Sequence, residues 1–214
     1  WARDVYKRQN KTNERFDRPA IIIANHQSFI DILVLLSLSS KIVMVTNHWV
    51  WHSPFFGAII RYADFYYIGE GYEQYVERMR KKVQEGYSIA IFPEGTRTYN
   101  GKMKRFHKGA FYLAETLQLD ILPILLYGNN RIIAKAQPFN IRKGIIYTEI
   151  LPRIPVDDLS FGVTYQERTK RISAYMRQEY ARICREKNTT DNPAFYEALI
   201  QNLSLIHISE PTRH

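Results

Sequence analysis

Two short clusters carry side chains that can move a proton or hold an anion. The first is Asn25-His26-Gln27-Ser28-Phe29-Ile30-Asp31, directly after the apolar run Ala20–Ala24. A histidine at the end of a buried strand, with an aspartate in the first turn of the next helix, lets Asp31 reach back to one imidazole nitrogen. The other nitrogen is then open to accept a proton. Such a pair is a positioned general base working near neutral pH. The carboxylate fixes the tautomer and stabilises the imidazolium that forms, as the acid of a serine-protease triad does. The same residues admit a plainer reading, in which Asp31 completes a capping box with Ser28 and His26 is a hydrogen-bonded loop residue. The second cluster is Phe92-Pro93-Glu94-Gly95-Thr96-Arg97. Here a strand empties into a glycine, where backbone can approach a ligand, beside a hydroxyl and a guanidinium. Arginine and threonine together suit a phosphate, while an exposed turn with an incidental arginine is the plainer alternative.

The elements that must position these residues alternate between short β-branched runs and amphipathic windows, which predicts an α/β domain. Ala20–Ala24 reads as a buried strand, followed by a helix from Ser28, its N-cap, to about Ser39. Lys41–Val45 and Phe65–Ile68 read as strands, with a short apolar helix over Pro54–Tyr62 between them. A charged helix over Tyr72–Glu85 leads to the strand Ser88–Phe92. A helix over Lys108–Leu117, strands over Ile121–Tyr127 and Gly144–Leu151, a long charged helix over Thr164–Lys187 and a last helix over Pro193–Asn202 complete the chain. The expected fold is a single mixed-sheet domain flanked by helices, with C-terminal helices.

Composition narrows the class. The chain has 214 residues, 45% hydrophobic and 24% charged, which suits one globular domain with its own core and excludes a disordered tail, a collagen-like rod or a disulfide scaffold. A single cysteine, Cys184, leaves no internal disulfide and fits a reducing compartment. No apolar run approaches the roughly 20 residues that a spanning helix needs.

The ordered pair of clusters resembles the glycerolipid acyltransferases of the lysophosphatidate acyltransferase type, whose HxxxxD and FPEGTR motifs occur in this order and at about this separation. The resemblance covers roughly Pro19 to Pro155. It implies a glycerol-3-phosphate acyltransferase-like fold, His26 as general base towards the acceptor hydroxyl and Asp31 as its orienting carboxylate. It implies that Glu94, Gly95, Thr96 and Arg97, with Lys108 beyond them, hold the acceptor, usually through a phosphate. Pro123 in Ile121–Leu126 matches a later hydrophobic strand, which reads either as a wall of an acyl pocket or as core. No covalent nucleophile is implied, no metal and no cofactor: the donor, acyl-CoA or an acyl-carrier protein, is a substrate. One departure stands out. The family commonly has an arginine just after the hydrophobic strand between the motifs, and Phe65-Tyr66-Tyr67-Ile68-Gly69-Glu70-Gly71 has none.

Other features take second place. Lys102, Lys104, Arg105, His107 and Lys108 form a basic run that can meet a head group, a carrier or anionic lipid, or simply face solvent. Nucleic acid is not the expected partner, because no helix-turn-helix, RNA-recognition or zinc pattern accompanies this charge. His48 and His52 lack a third metal ligand nearby, and with Trp49, Trp51, Phe55 and Phe56 read as an amphipathic segment for core or lipid interface.

Both ends read as translated sequencing-library adapter. Asp4–Gln9 (DVYKRQ) and Leu203–Ile208 (LSLIHI) are what GATGTGTATAAGAGACAG and CTGTCTCTTATACACATC would encode, complementary strands of a segment resembling a transposon end. The expected organisation is therefore adapter over 1–9, an acyltransferase domain over 10–155, a helical extension over 156–202 and adapter over 203–214. The four basic and two acidic residues of the two ends contribute +2 of the formal charge of +9, leaving +7. The chain also resembles the acyltransferase segment of bacterial fusion proteins that join an MMPL-type transporter upstream to a methyltransferase-like domain downstream. Two functions follow. One is an enzyme esterifying a lyso-lipid at the cytoplasmic face of the membrane, held peripherally or through a segment upstream. The other is a catalytically weak lipid- or carrier-binding module.

Overall fold

The computed structural model describes residues 6–10, 12–46, 66–67, 72–99, 101–133, 135–136, 140, 142 and 144–191. The helices read from the sequence over Pro54–Tyr62 and Pro193–Asn202, and the aromatic segment with His48 and His52, lie outside these residues. The chain divides into two compact units, Trp1–Met176 and Arg177–His214.

The first unit is built on a seven-stranded sheet. In chain order its strands are β1 (Tyr6–Gln9), β2 (Ile21–Ala24), β3 (Ile42–Thr46), β4 (Tyr66–Tyr67), β5 (Ser88–Ile91), β6 (Ile121–Tyr127) and β7 (Ile146–Ile150). They lie in the order β1-β7-β6-β2-β5-β3-β4. Among the described strands only the β6–β7 pair is antiparallel. The mixed sheet agrees with the sequence reading, with one strand more: β1 pairs in parallel with β7, from Tyr6 opposite Ile146 to Gln9 opposite Glu149.

The helices are α1 (Ile30–Leu36), α2 (Tyr72–Gln84), α3 (Gly109–Leu117), the single-turn α4 (Asn129–Ile132) and α5 (Tyr165–Asp191), which begins in the first unit and ends in the second. Central strands buried on both faces need continuous apolar sequence rather than alternation. All four residues of β2 and all seven of β6 are buried accordingly. Ile22, Ala24, Ile42, Met44, Ala90, Leu122, Ile124 and Leu126 share one core with Val34 and Leu35 of α1. α2 packs on β5 and α3 on β2. Each fully buried Ile or Leu contributes about 1.5–3 kcal/mol of transfer free energy.

Within the first unit the stretch after Pro155 is tied back, the Val156 amide donating to Asp120 Oδ1 at 3.1 Å and the Tyr165 amide to Glu115 Oε2 at 2.8 Å. Arg168 donates to the carbonyls of Asp158 (2.9 Å) and Pro155 (2.8 Å), and Arg153 forks onto the Glu14 carboxylate at 3.0 and 3.1 Å. In the second unit, Arg182 pairs with both Glu179 and Glu186 at 2.9 Å along α5.

One local expectation is corrected. Phe29, not Ser28, occupies the N-cap of α1, and no side chain caps it. The Ser28 hydroxyl instead donates to the Ile133 carbonyl at 2.8 Å. Asp31 accepts from the Ser28 amide at 2.8 Å, one residue before the N-cap, so no capping box forms.

β1 joins the sheet as an edge strand, and edge pairing draws on backbone hydrogen bonds that almost any extended segment can make. A chain beginning at Asn10 is therefore expected to keep its fold. Its far-UV circular dichroism should be essentially unchanged and its melting temperature should fall by less than about 4 °C, the shift of roughly 1 kcal/mol in a chain of this size. Loss of the cooperative transition would assign β1 a structural role.

Candidate active site

Three neighbouring parallel strands end side by side. β2 lies between β5 and β6 and runs parallel to both, with Ile23 opposite Ile91 on one side and Pro123 on the other. Their carboxyl ends open at one edge of the sheet, where α/β proteins bind ligands. Each strand delivers one part of the site: Asn25–Ser28 after β2, Phe92–Thr98 after β5, and Gly128–Asn129 after β6.

The exit from β2 is pinned. Asn25 is buried, and its side chain extends the ladder to β6: Nδ2 donates to the Leu126 carbonyl and Oδ1 accepts from the Leu126 amide, both at 2.8 Å. The His26 amide donates to Glu94 Oε1 at 2.9 Å, and its carbonyl accepts from the Thr98 amide at 2.9 Å. With the backbone held on both sides, the imidazole stacks on Phe92, centroids 4.0 Å apart and planes 12° from parallel.

The catalytic expectation concerned His26 and Asp31, and the structure brings them together: His26 Nδ1 lies 2.8 Å from Asp31 Oδ2. Asp31 is fully buried and accepts three further hydrogen bonds, from the amides of Gln27 and Ser28 and from the side-chain amide of Asn129. An ionised carboxylate can only accept. Facing the ionised carboxylate, Nδ1 is therefore the donor, and the neutral ring has its lone pair on Nε2. Nε2 has no hydrogen-bond partner among the described residues, and the imidazole is 13% exposed, enough to meet a substrate.

Asn129 escaped the sequence reading, because nothing in a short turn after a strand marks it. Gly128 puts it in place: at φ +90° the chain folds back directly after β6, and a Cβ there would lie 2.3 Å from the Ile145 carbonyl oxygen. Only glycine fits. Asn129 is fully buried, and facing the carboxylate fixes its amide orientation, with Nδ2 towards Asp31.

Glu94 plays a different part from the one expected. It is buried and both carboxylate oxygens are engaged by backbone, Oε1 by the His26 amide and Oε2 by the Lys104 amide at 2.7 Å. It braces two loops and presents no oxygen to an acceptor. Burial pushes its carboxyl above the usual range, and the Lys104 and His26 amides oppose this in part.

Gly95 (φ +67°), Thr96 and Arg97 face the site as a turn, and a Cβ at Gly95 would press on the His107 ring at 3.3 Å. Arg97 lies flat on Phe29, Cζ 3.6 Å from the ring centroid. Its Nη1 is buried without a hydrogen-bond partner. Burial pulls the guanidinium below its ordinary value, against the attraction of Asp31 and Tyr99. A desolvated cation with an unused donor suits an anionic ligand. Lys108 is exposed at the N-cap of α3.

A cavity of about 300 Å³ lies one ring away from the imidazole, lined by Val45, Tyr75, Phe92, Pro93, His107 and Leu113 among others. Phe92 both walls this cavity and stacks on His26. None of this cavity's lining residues comes from β6, all seven of whose residues are buried. Among the described residues no cluster of three or more His, Cys, Asp or Glu could hold a metal, and no helix is long and apolar enough to cross a membrane.

Fold and site together define an α/β protein with a carboxylate-oriented histidine at the end of its central strand, facing an arginine-bearing turn. The chain belongs to the acyltransferase family, whose profile matches residues 4–127. It is 31% identical over 121 residues to a chloroplastic 1-acyl-sn-glycerol-3-phosphate acyltransferase of Arabidopsis thaliana, covering 55% of this chain and 34% of the plant protein. It is 28% identical over 149 residues to the human 1-acyl-sn-glycerol-3-phosphate acyltransferase beta, covering 67% and 53%. The chain thus spans between a third and about half of these relatives. The crystal structure of the 1-acyl-sn-glycerophosphate acyltransferase PlsC from Thermotoga maritima shares the fold, with a TM-score of 0.70 at 22% identity over 84% of this chain and 72% of that one.

Two outcomes test this geometry. Replacing Asn129 by Leu keeps the volume and removes the donor to Asp31. Histidine-dependent turnover should fall about tenfold or more, within the 100- to 10,000-fold worth of a positioned base, and the acid limb of the pH–rate profile should move. A fall without that movement would mean a packing role only. For Glu94, a carboxyl held above its unfolded value favours the folded state most at low pH. This contribution is lost as pH rises from the ordinary carboxylate range, about 4.5, through the raised folded value. The melting temperature of the wild type should decline relative to Glu94→Gln over that window; parallel curves would overturn the assignment.

Proposed function

We propose that the protein transfers a fatty acyl group from an acyl thioester to the hydroxyl of a lyso-lipid of the 1-acyl-glycerol-3-phosphate type. The observation that carries this reading is the His26–Asp31 pair, with Nε2 unpartnered among the described residues and Phe92 between the imidazole and the apolar cavity. Nε2 takes the proton of the acceptor hydroxyl as its oxygen attacks the thioester carbonyl. Asp31 stabilises the imidazolium formed. When the tetrahedral intermediate collapses, the C–S bond breaks and the thiolate recovers that proton, leaving an ester and a free thiol. No acyl group resides on the protein. Arg97, with Thr96, receives the acceptor phosphate, and Lys108 adds positive charge at the end of the same loop. The cavity suits an apolar chain. The relatives' names support the acceptor class, and a coenzyme A or carrier-protein thioester at the cytoplasmic membrane surface is the expected donor and setting.

The test is thiol release from an acyl thioester, with and without a lyso-lipid acceptor, by the wild type and by His26→Ala. Release that needs the acceptor and falls at least about 100-fold in the variant is expected for loss of a general base. Lipid binding should persist in that variant, because the imidazole does the chemistry rather than the holding. Acceptor-bound wild type without release, or equal loss of binding and turnover, would favour the binding-module reading.

A further inference from the structure

We propose that Lys135 is a head-group specificity determinant: with Arg97 it makes a two-cation seat on the Thr96–Arg97 segment that favours a phosphate monoester over a phosphodiester. The inference rests on the acyl-transfer reading only for the identity of the lipid; the seat itself follows from the side chains.

Lys135 lies 38 residues beyond Arg97, yet its Nζ donates to the Arg97 carbonyl at 2.9 Å and to Thr96 Oγ1 at 3.2 Å. The ammonium also sits 4.0 Å from the centroid of the Tyr99 ring, which is itself 72% exposed. Its loop is tied down nearby, because the Ile133 carbonyl accepts the Ser28 hydroxyl at 2.8 Å and the Ile133 amide bonds Asn129 at 3.1 Å. The loop leaving β6 therefore serves twice, placing Asn129 on the carboxylate and Lys135 on the arginine turn.

Charge decides what this arrangement is for. Holding a loop needs a hydrogen bond, not an ammonium. Among the described residues no carboxylate forms an ion pair with Lys135 or Arg97. Asp31, whose field reaches Arg97, is already saturated by four donors. Glu94 is spent on backbone amides. Two cations thus bound one short turn with an unused buried donor on Arg97. A phosphate monoester carries about −1.5 to −2 near neutral pH, and a diester one charge less at most. The second cation gains most from the monoester.

A phosphate monoester can come from the acceptor or from the 3′-phosphate of a coenzyme A donor; the seat is assigned to the acceptor. The wild type, Lys135→Met and Lys135→Arg should be compared with 1-acyl-glycerol 3-phosphate and a lysophosphatidylglycerol diester as acceptors, using acyl-CoA and acyl-dephospho-CoA as donors. In Lys135→Met the monoester-to-diester ratio of kcat/KM is expected to fall about tenfold, the size of one lost interaction with a charged group. The loss should lie mainly in KM and be largely restored in Lys135→Arg. An equal fall for both acceptors would reduce Lys135 to a loop fastener. A change in the acyl-CoA to acyl-dephospho-CoA ratio instead would move the seat to the donor, and either result overturns the assignment. Direct binding of 1-acyl-glycerol 3-phosphate and the diester, without donor, separates the two readings. Were the wild type to transfer no acyl group, selective loss of monoester binding in Lys135→Met would still uphold the seat, and unchanged binding would overturn it.

Discussion

A single buried carboxylate organises the site. Asp31 accepts hydrogen bonds from the His26 ring, the Gln27 and Ser28 amides and the Asn129 side chain, groups delivered by two different strand ends. A fully buried carboxylate without such partners would be costly enough to protonate or to prevent folding. The requirement runs in both directions. The carboxylate needs those donors, and the donors, buried as well, need it. The β2 exit, the start of α1 and the turn after β6 therefore have essentially one mutual arrangement. The orientation of the imidazole is a by-product of satisfying that charge.

Around this centre the polar and apolar work is divided. Glu94, charged in type but committed to backbone, holds the two loops that frame His26. Arg97 and Lys135 are cations with capacity left for a ligand, and Phe29 and Tyr99 supply the faces on which they rest. Phe92 stands at the junction, with one face on the imidazole and part of its surface in an apolar cavity. The charged turn and the apolar cavity are thus separated by about the width of an aromatic ring.

Family membership rests on a match that spans both motifs, whereas the likeness to PlsC concerns the fold. Lys135 reaches the Thr96–Arg97 turn, 38 residues back along the chain, because the ends of β5 and β6 flank β2.

The sequence by itself determined the elements and the two reactive clusters. Continuous apolar runs such as Ile21–Ala24 and Ile121–Tyr127 could only be buried strands, and the spacing of His26 and Asp31 is short enough for local geometry to bring them together. FPEGTR was legible for the same reason, since its residues act within one turn. The sequence could not reveal which acid brackets and which cations sit where. Glu94 looked like a ligand-holding carboxylate until its two backbone partners, one of them 68 residues away, were in view. Ser28 looked like a cap, but its hydroxyl bonds Ile133, 105 residues on. Asn129 and Lys135 carry no local signal at all: they matter through β6 lying against β2, and strand order is decided by packing of the whole sheet rather than by any window of sequence.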